Sequence, residues 1–161
     1  MNTIKNKFLF INITIFCIFA LLFAYFIEIV LKHTPCNLCL AERIPYIVSI
    51  ILALTVLISN KYEKFILIVI GLLFSFGAIV SFYHFGIEQG FFNESLVCDL
   101  GLNSQATTTQ DLLKELDTKT ISCKDVTFRL FGLSLATINI FISLIISVIT
   151  LKLFLDYEKN K

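Results

Sequence analysis

Residues 65–87 read FILIVIGLLFSFGAIVSFYHFGI, 23 consecutive positions without a charged side chain. A helix rises about 1.5 Å per residue, so roughly 20 apolar residues cross a bilayer core of about 30 Å. Two other runs reach that length, Phe8 to Ile27 with 20 residues and Leu130 to Leu151 with 22. A fourth, Ile44 to Asn60, has 17 and draws on flanking residues. These four runs predict an all-α fold, a four-helix transmembrane bundle forming a single membrane domain over 1–161. The helices are expected at about 8–31, 42–60, 65–87 and 129–153.

Composition leaves little room for another class. The chain is 57% hydrophobic and 16% charged, whereas charged residues make up about a quarter of an ordinary soluble domain. A soluble globule of this size could not bury so many apolar side chains, and a disordered chain or coiled coil would carry far more charge. The net charge of +1 gives no support to nucleic-acid binding. The first run exceeds the roughly 7–15 apolar residues of a cleaved signal core. It follows Lys5 and Lys7 and reads as a retained signal anchor.

The connections carry unequal charge. The N-terminal tail, the turn 61–64 and the C-terminal tail from Lys152 together hold 7 Lys or Arg in 21 residues. Loops 32–43 and 88–129 hold 6 in 54. Basic residues concentrate on the cytoplasmic side of membrane proteins. Both termini are therefore expected inside, and the two larger loops, 32–43 and 88–128, outside. The long loop includes TTTQDLLKEL (107–116), whose leucines share one helical face. It reads either as a short helix on the membrane surface or as a simple amphipathic turn.

Five cysteines punctuate the chain. Cys17 lies mid-span and reads as a small packing residue. Cys36 and Cys39 lie between helices one and two, and Cys98 and Cys123 between helices three and four. In a four-span topology those loops share one aqueous face. If that face is the outer one, disulfides persist there. The Cys-x-x-C pair in TPCNLCLAER opens helix two, where free N–H groups favour thiolate, the reactive form of cysteine. Arg43 follows Cys39 by one helical turn and puts a permanent positive charge on the same face. It could donate to a polar group of a lipid-soluble ligand or snorkel to lipid phosphate.

A metal centre is not expected, because zinc sites usually carry a second closely spaced ligand pair. A structural pair of disulfides remains an alternative, although structural bridges usually close longer loops. Two cysteine pairs on one face, one at the membrane edge and one in a polar loop, can instead form an electron relay by thiol–disulfide exchange. No haem or iron–sulfur ligand set is apparent, so a membrane quinone is the natural two-electron acceptor. Glu28, Glu42, His84, Glu88 and Gln89 are further polar residues near the same face. Each reads as a quinone contact, a solvated group or an internal hydrogen bond.

The residues resemble the DsbB family of quinone-dependent thiol oxidases of the bacterial inner membrane. PCNLCLAER is similar to the family's Pro-Cys-x-x-Cys followed by Glu-Arg. CDL at Cys98 and CKDVTFRLFGLSLA from Cys123 are similar to its second cysteine pair and the start of its last helix. YHFGIEQGFF resembles a segment of one branch, taken here as DsbI-like, some of whose members serve a dedicated partner. The resemblance implies a multi-pass inner-membrane protein with its active cysteines on the periplasmic side. It implies that a periplasmic DsbA-like thioredoxin-fold protein is reoxidised at Cys98 and Cys123. Cys123 would attack the first pair at Cys36, leaving Cys39 as a thiolate stabilised by Arg43 and facing ubiquinone or menaquinone. A vitamin K epoxide reductase-like protein is the nearest redox alternative, but its Cys-x-x-C is expected late in the bundle.

Overall fold

The computed structural model describes residues 3–59, 62–93, 123–124, 128–130 and 132–159. Cys98 and the stretch 107–116 lie outside the described residues. The described elements are α1 (Thr3–Ile29), α2 (Asn37–Ala41), α3 (Ile44–Ser59), α4 (Glu63–Glu88), β1 (Arg129–Leu130), β2 (Leu133–Ser134) and α5 (Leu135–Lys159). Among them, four helical segments are long and apolar enough to cross a membrane: Lys7–Ile29, Asn37–Ser59, Glu63–Glu88 and Leu135–Asp156.

The bundle is apolar inside and outside. Its interior is built on Phe10, Ile13, Cys17, Tyr46, Ala53, Val56, Leu67, Ile70 and Phe74. Large apolar side chains such as Phe8, Phe19, Ile58, Phe76 and Ile79 face outward. Water would penalise such a surface, whereas hydrocarbon does not, and the outward side chains therefore mark the lipid-facing wall. Cys17 is fully buried in this interior, as a packing residue should be.

The most extensive interface joins α4 to α5, followed by α1 to α3. Lipid supplies no hydrophobic drive between helices, so close approach and interhelical hydrogen bonds must do so. Gly71 allows the approach, because a Cβ there would lie 2.8 Å from Cδ2 of Leu151. One turn on, the hydroxyls of Ser75 and Ser147 meet at 2.6 Å.

Three boundaries differ from the sequence expectation. The first helix ends at Ile29, not 31, where the chain turns through a left-handed residue at Lys32 (φ 55°). The second span begins as the short α2 at Asn37, and a turn at Glu42 and Arg43 separates it from α3. Pro45 sits in the first turn of α3, where its missing N–H costs nothing. The last helix starts at Leu135, not near 129. Before it, Arg129 pairs with Ser134 and Leu130 with Leu133 in a two-stranded antiparallel ladder. Gly132, at φ 84°, lets the chain reverse there. The Ser134 hydroxyl then accepts the Thr137 N–H at 3.2 Å and caps α5.

The YHFGIEQGFF segment forms the end of α4. Gly90 adopts φ 78°, Phe91 N–H donates to the Gly86 carbonyl at 2.8 Å, and Gly90 N–H donates to Ile87 at 3.0 Å. This is a Schellman cap. It folds Phe92 back to stack on Tyr83, with ring centroids 5.5 Å apart.

Candidate active site

Cys36 is the N-cap of α2, and its sulfur accepts the Cys39 N–H at 3.3 Å. One helical turn brings the two sulfurs to 2.9 Å from each other. Neither is bridged in this structure. Cys36 is buried against Leu38, Ile87 and Cys123, with Cys39 packed on the same cluster. Cys123 is disulfide-bonded. The structure thus brings three of the four expected relay cysteines together at one end of the bundle, and Cys98 is the one outside the described residues.

His84, on the last turns of α4, reaches the pair. Its Nε2 lies 3.5 Å from Sγ of Cys36. Its Nδ1 lies 2.9 Å from Oε1 of Glu42. Oε1 of Glu88, one turn further along α4, is 3.7 Å from Nε2. The other Glu42 oxygen accepts from Nδ2 of Asn139 at 3.0 Å. The same amide nitrogen also donates to Ser81 at 2.8 Å, and Oδ1 of Asn139 accepts the Tyr46 hydroxyl. The hydrogen bonds therefore join α2, α3, α4 and α5 in one buried network.

Charge balance at Cys36 favours thiolate. The hydrogen bond from Cys39 pulls its thiol down to about 4, opposed by burial and helped by the hydrogen bond and positive charge of His84. Arg43 donates Nη1 to Oε2 of Glu28 at 2.8 Å. Its Cζ stands 4.8 Å from the centroid of the Tyr25 ring.

Cys39 and Arg43 both line a cavity of about 270 Å³. Phe16, Phe19 and Phe23 of α1 and Ile138 and Ile142 of α5 are part of its apolar wall, and Glu42 and Asn139 also reach it. His33 and Phe128 also line it, with their rings in edge contact at 5.5 Å.

Cys36, Cys39 and His84 place three possible metal donors within 4.8 Å of one another. Two thiolates on a tetrahedral zinc, at about 2.3 Å each, stand about 3.8 Å apart. The sulfurs here, at 2.9 Å, are closer than that. The spacing suits closure of an S–S bond better than a shared ion.

Among the polar residues expected near this face, Glu42 and His84 are buried in the network, Glu88 borders it, and Glu28 pairs with Arg43. Gln89 is exposed and caps the end of α4. Asn139, Ser81 and Tyr46 were missed. Asn139 did leave a signal, as an amide in an otherwise apolar span, where polar side chains usually bond across helices.

Fold and site together define a multi-pass membrane protein with a buried dithiol at one end of its bundle, beside an apolar cavity. The chain belongs to the DsbB family, described as disulfide bond formation protein DsbB, which matches residues 6–153. An uncharacterized protein of Rickettsia prowazekii (strain Madrid E) is 30% identical over 160 residues, covering 97% of this chain and 92% of the relative. No solved structure matches the chain. Family membership makes the protein a disulfide oxidoreductase in general terms.

Proposed function

We propose that the protein is a thiol oxidase that reoxidises a periplasmic DsbA-like thioredoxin-fold protein and passes the electrons to a membrane quinone. In this reading it lies in the bacterial inner membrane, with both termini cytoplasmic and loops 32–43 and 88–128 periplasmic. Cys98 and Cys123 take two electrons from the partner dithiol by thiol–disulfide exchange. Cys36 and Cys39 receive them from that pair. Each exchange needs an accessible sulfur and a good leaving thiolate.

The observation that carries the proposal is the placement of Cys39. It belongs to a dithiol poised at 2.9 Å, and it also lines the apolar cavity together with Arg43. The cavity suits a quinone, because its walls are apolar and its polar end holds a sulfur and a guanidinium. Cys39 and Arg43 would hold the head group. A quinone supplies a two-electron, two-proton acceptor soluble in the bilayer. The chain's own residues present the reducing sulfur, keep water from it and place a cation beside the acceptor oxygen. The packing of Cys123 against Cys36 supports exchange between the two pairs.

The test is a thiol count by mass-adding maleimide on acid-trapped membranes, with the quinone pool present and depleted. Cys36, Cys39, Cys98 and Cys123 should be oxidised with quinone and accumulate as thiols without it. Cys39→Ser should abolish quinone-dependent oxidation of the partner. Four cysteines that stay oxidised in both conditions would mean structural bridges instead.

A further inference from the structure

Oxidising a dithiol releases protons as well as electrons. When Cys36–SH and Cys39–SH close to a disulfide, two electrons and two protons leave. Cys39 lines the cavity and can release its proton there. Cys36 does not line it. Its sulfur is buried with Cys123, Leu38 and Ile87, so its proton needs a protein acceptor.

From this geometry we infer that His84 is the general base that takes the Cys36 proton, and that Glu42 is the positioning residue that holds the ring for it. The inference rests on the thiol-oxidase reading above and assigns the proton route within it. His84 Nε2 is within hydrogen-bonding reach of Sγ, at 3.5 Å. Glu42 Oε1, 2.9 Å from Nδ1, is an acceptor. With its Nδ1–H donated to Glu42, the ring offers Nε2 to the Cys36 proton, and the pair then stands as an imidazolium beside a thiolate. Glu42 cannot easily turn away, because Asn139 holds its second oxygen.

The imidazolium formed on proton transfer is flanked by two carboxylates. Glu42 faces Nδ1, and Glu88 stands 3.7 Å from Nε2. Among the described residues, Oε2 of Glu88 is buried without a hydrogen-bond partner, an arrangement that favours a neighbouring cation. The titratable groups facing the ring are Cys36 and Cys39 from α2, Glu42 from its C-terminus and Glu88 from α4. Arg43 is held away by Glu28.

The Cys36 proton moves first to Nε2 of His84, which leaves the thiolate. In the closing step the S–S bond forms as the Cys39 S–H bond breaks; the two electrons pass by way of Cys39 to the quinone, the oxidant, which is reduced to the quinol, and the Cys39 proton leaves into the cavity. From the ring, the Nδ1 proton has a buried exit through Glu42, which lines the cavity where the acceptor takes up two protons.

The test uses the full chain, reduced and held in detergent micelles. The rate of Cys36 alkylation by iodoacetamide, which reads the thiolate, is followed by mass spectrometry against pH. His84→Gln should move the midpoint upward by at least about one pH unit, towards the ordinary thiol value of about 8.5. At pH 4 that is a loss of about fivefold or more in rate. Glu42→Gln should shift it in the same direction by less. A companion measurement needs no variant: in the wild-type protein, thiolate ultraviolet absorbance and the His84 ring resonances should titrate together. An unchanged alkylation profile in His84→Gln, or a His84 ring that titrates independently of the thiolate, overturns the inference. Failure of the wild-type protein to pass electrons from a dithiol to a short-chain quinone overturns the thiol-oxidase reading instead, and the alkylation profile still decides the base.

Discussion

Arg43 and Glu28, both in the lining of the cavity, meet at 2.8 Å, so the positive charge that shares the lining with Cys39 belongs to an ion pair. The Tyr25 ring lies against the same guanidinium. The charge available to a ligand is therefore set from α1 as well as from the Cys-x-x-C segment. Arg43→Met is expected to raise the KM for a short-chain quinone about tenfold or more, with a smaller change in kcat, because it removes binding common to ground and transition states. Glu28→Gln should lower the KM by releasing the guanidinium. Arg43→Lys should not restore wild-type values, since an ammonium lacks the planar face and fork that serve Tyr25 and Glu28 together. Steady-state quinone reduction measures all three, and a KM unchanged in Arg43→Met would remove Arg43 from the site.

The lowered thiol of Cys36 predicts a distinctive pH profile. A depressed value favours the deprotonated form, so reactivity is present above it and fades as the pH falls through it. Labelling of reduced Cys36 should stay nearly level from about pH 8 to about pH 5, where an ordinary thiol loses most of its thiolate. It should fall away only near 4. A midpoint near that of a free thiol would contradict the hydrogen bonds described for this sulfur.

Gly86 admits the fold-back of Phe92. A Cβ at Gly86 would sit 2.1 Å from the Phe92 ring, closer than any contact allows. Gly86→Val should therefore expel Phe92 from its stack on Tyr83 and destabilise the protein by about 1–3 kcal/mol. Adding Phe92→Ala should recover part of that loss. A double-mutant cycle of unfolding midpoints in mixed micelles checks it, and strict additivity would show that the two residues do not meet.

Asn139 joins three helices to Glu42. Asn139→Leu leaves a Glu42 oxygen, the Tyr46 hydroxyl and Ser81 short of a partner. The expected loss is about 1–3 kcal/mol. It should be accompanied by slower closure of the Cys36–Cys39 disulfide, because Glu42 no longer holds His84. Stability and closure rate measured on the same variant test both parts.

Charge-free runs made the four spans legible, because hydrocarbon thickness dictates their length. The start of the last helix was not legible. Leu130 and Leu133 are as apolar as the helix that follows, and only Gly132 marks the reversal between them. Cys36 and Cys39 were legible as a pair by their spacing. The His84–Glu42–Asn139 network was not, since its members lie far apart in sequence and meet only through helix packing. Each had been visible as a polar residue at or inside a span, but nothing in the sequence said which would touch Cys36. The pairing of Arg43 with Glu28 was hidden for the same reason.

The cavity wall is built from helices that pack into different partners. α1 rests on α3, while α5 rests on α4, and α1 and α5 supply the opposite faces around Cys39. Such a wall can widen without either helix losing its own neighbour. Packing against neighbours sets the tilt of membrane helices, and the two helices of this wall answer to different neighbours. The Cys36–His84 contact, held between α2 and α4, does not span that opening. The width of the apolar cavity and the geometry at the buried sulfur are thus set by separate helix contacts.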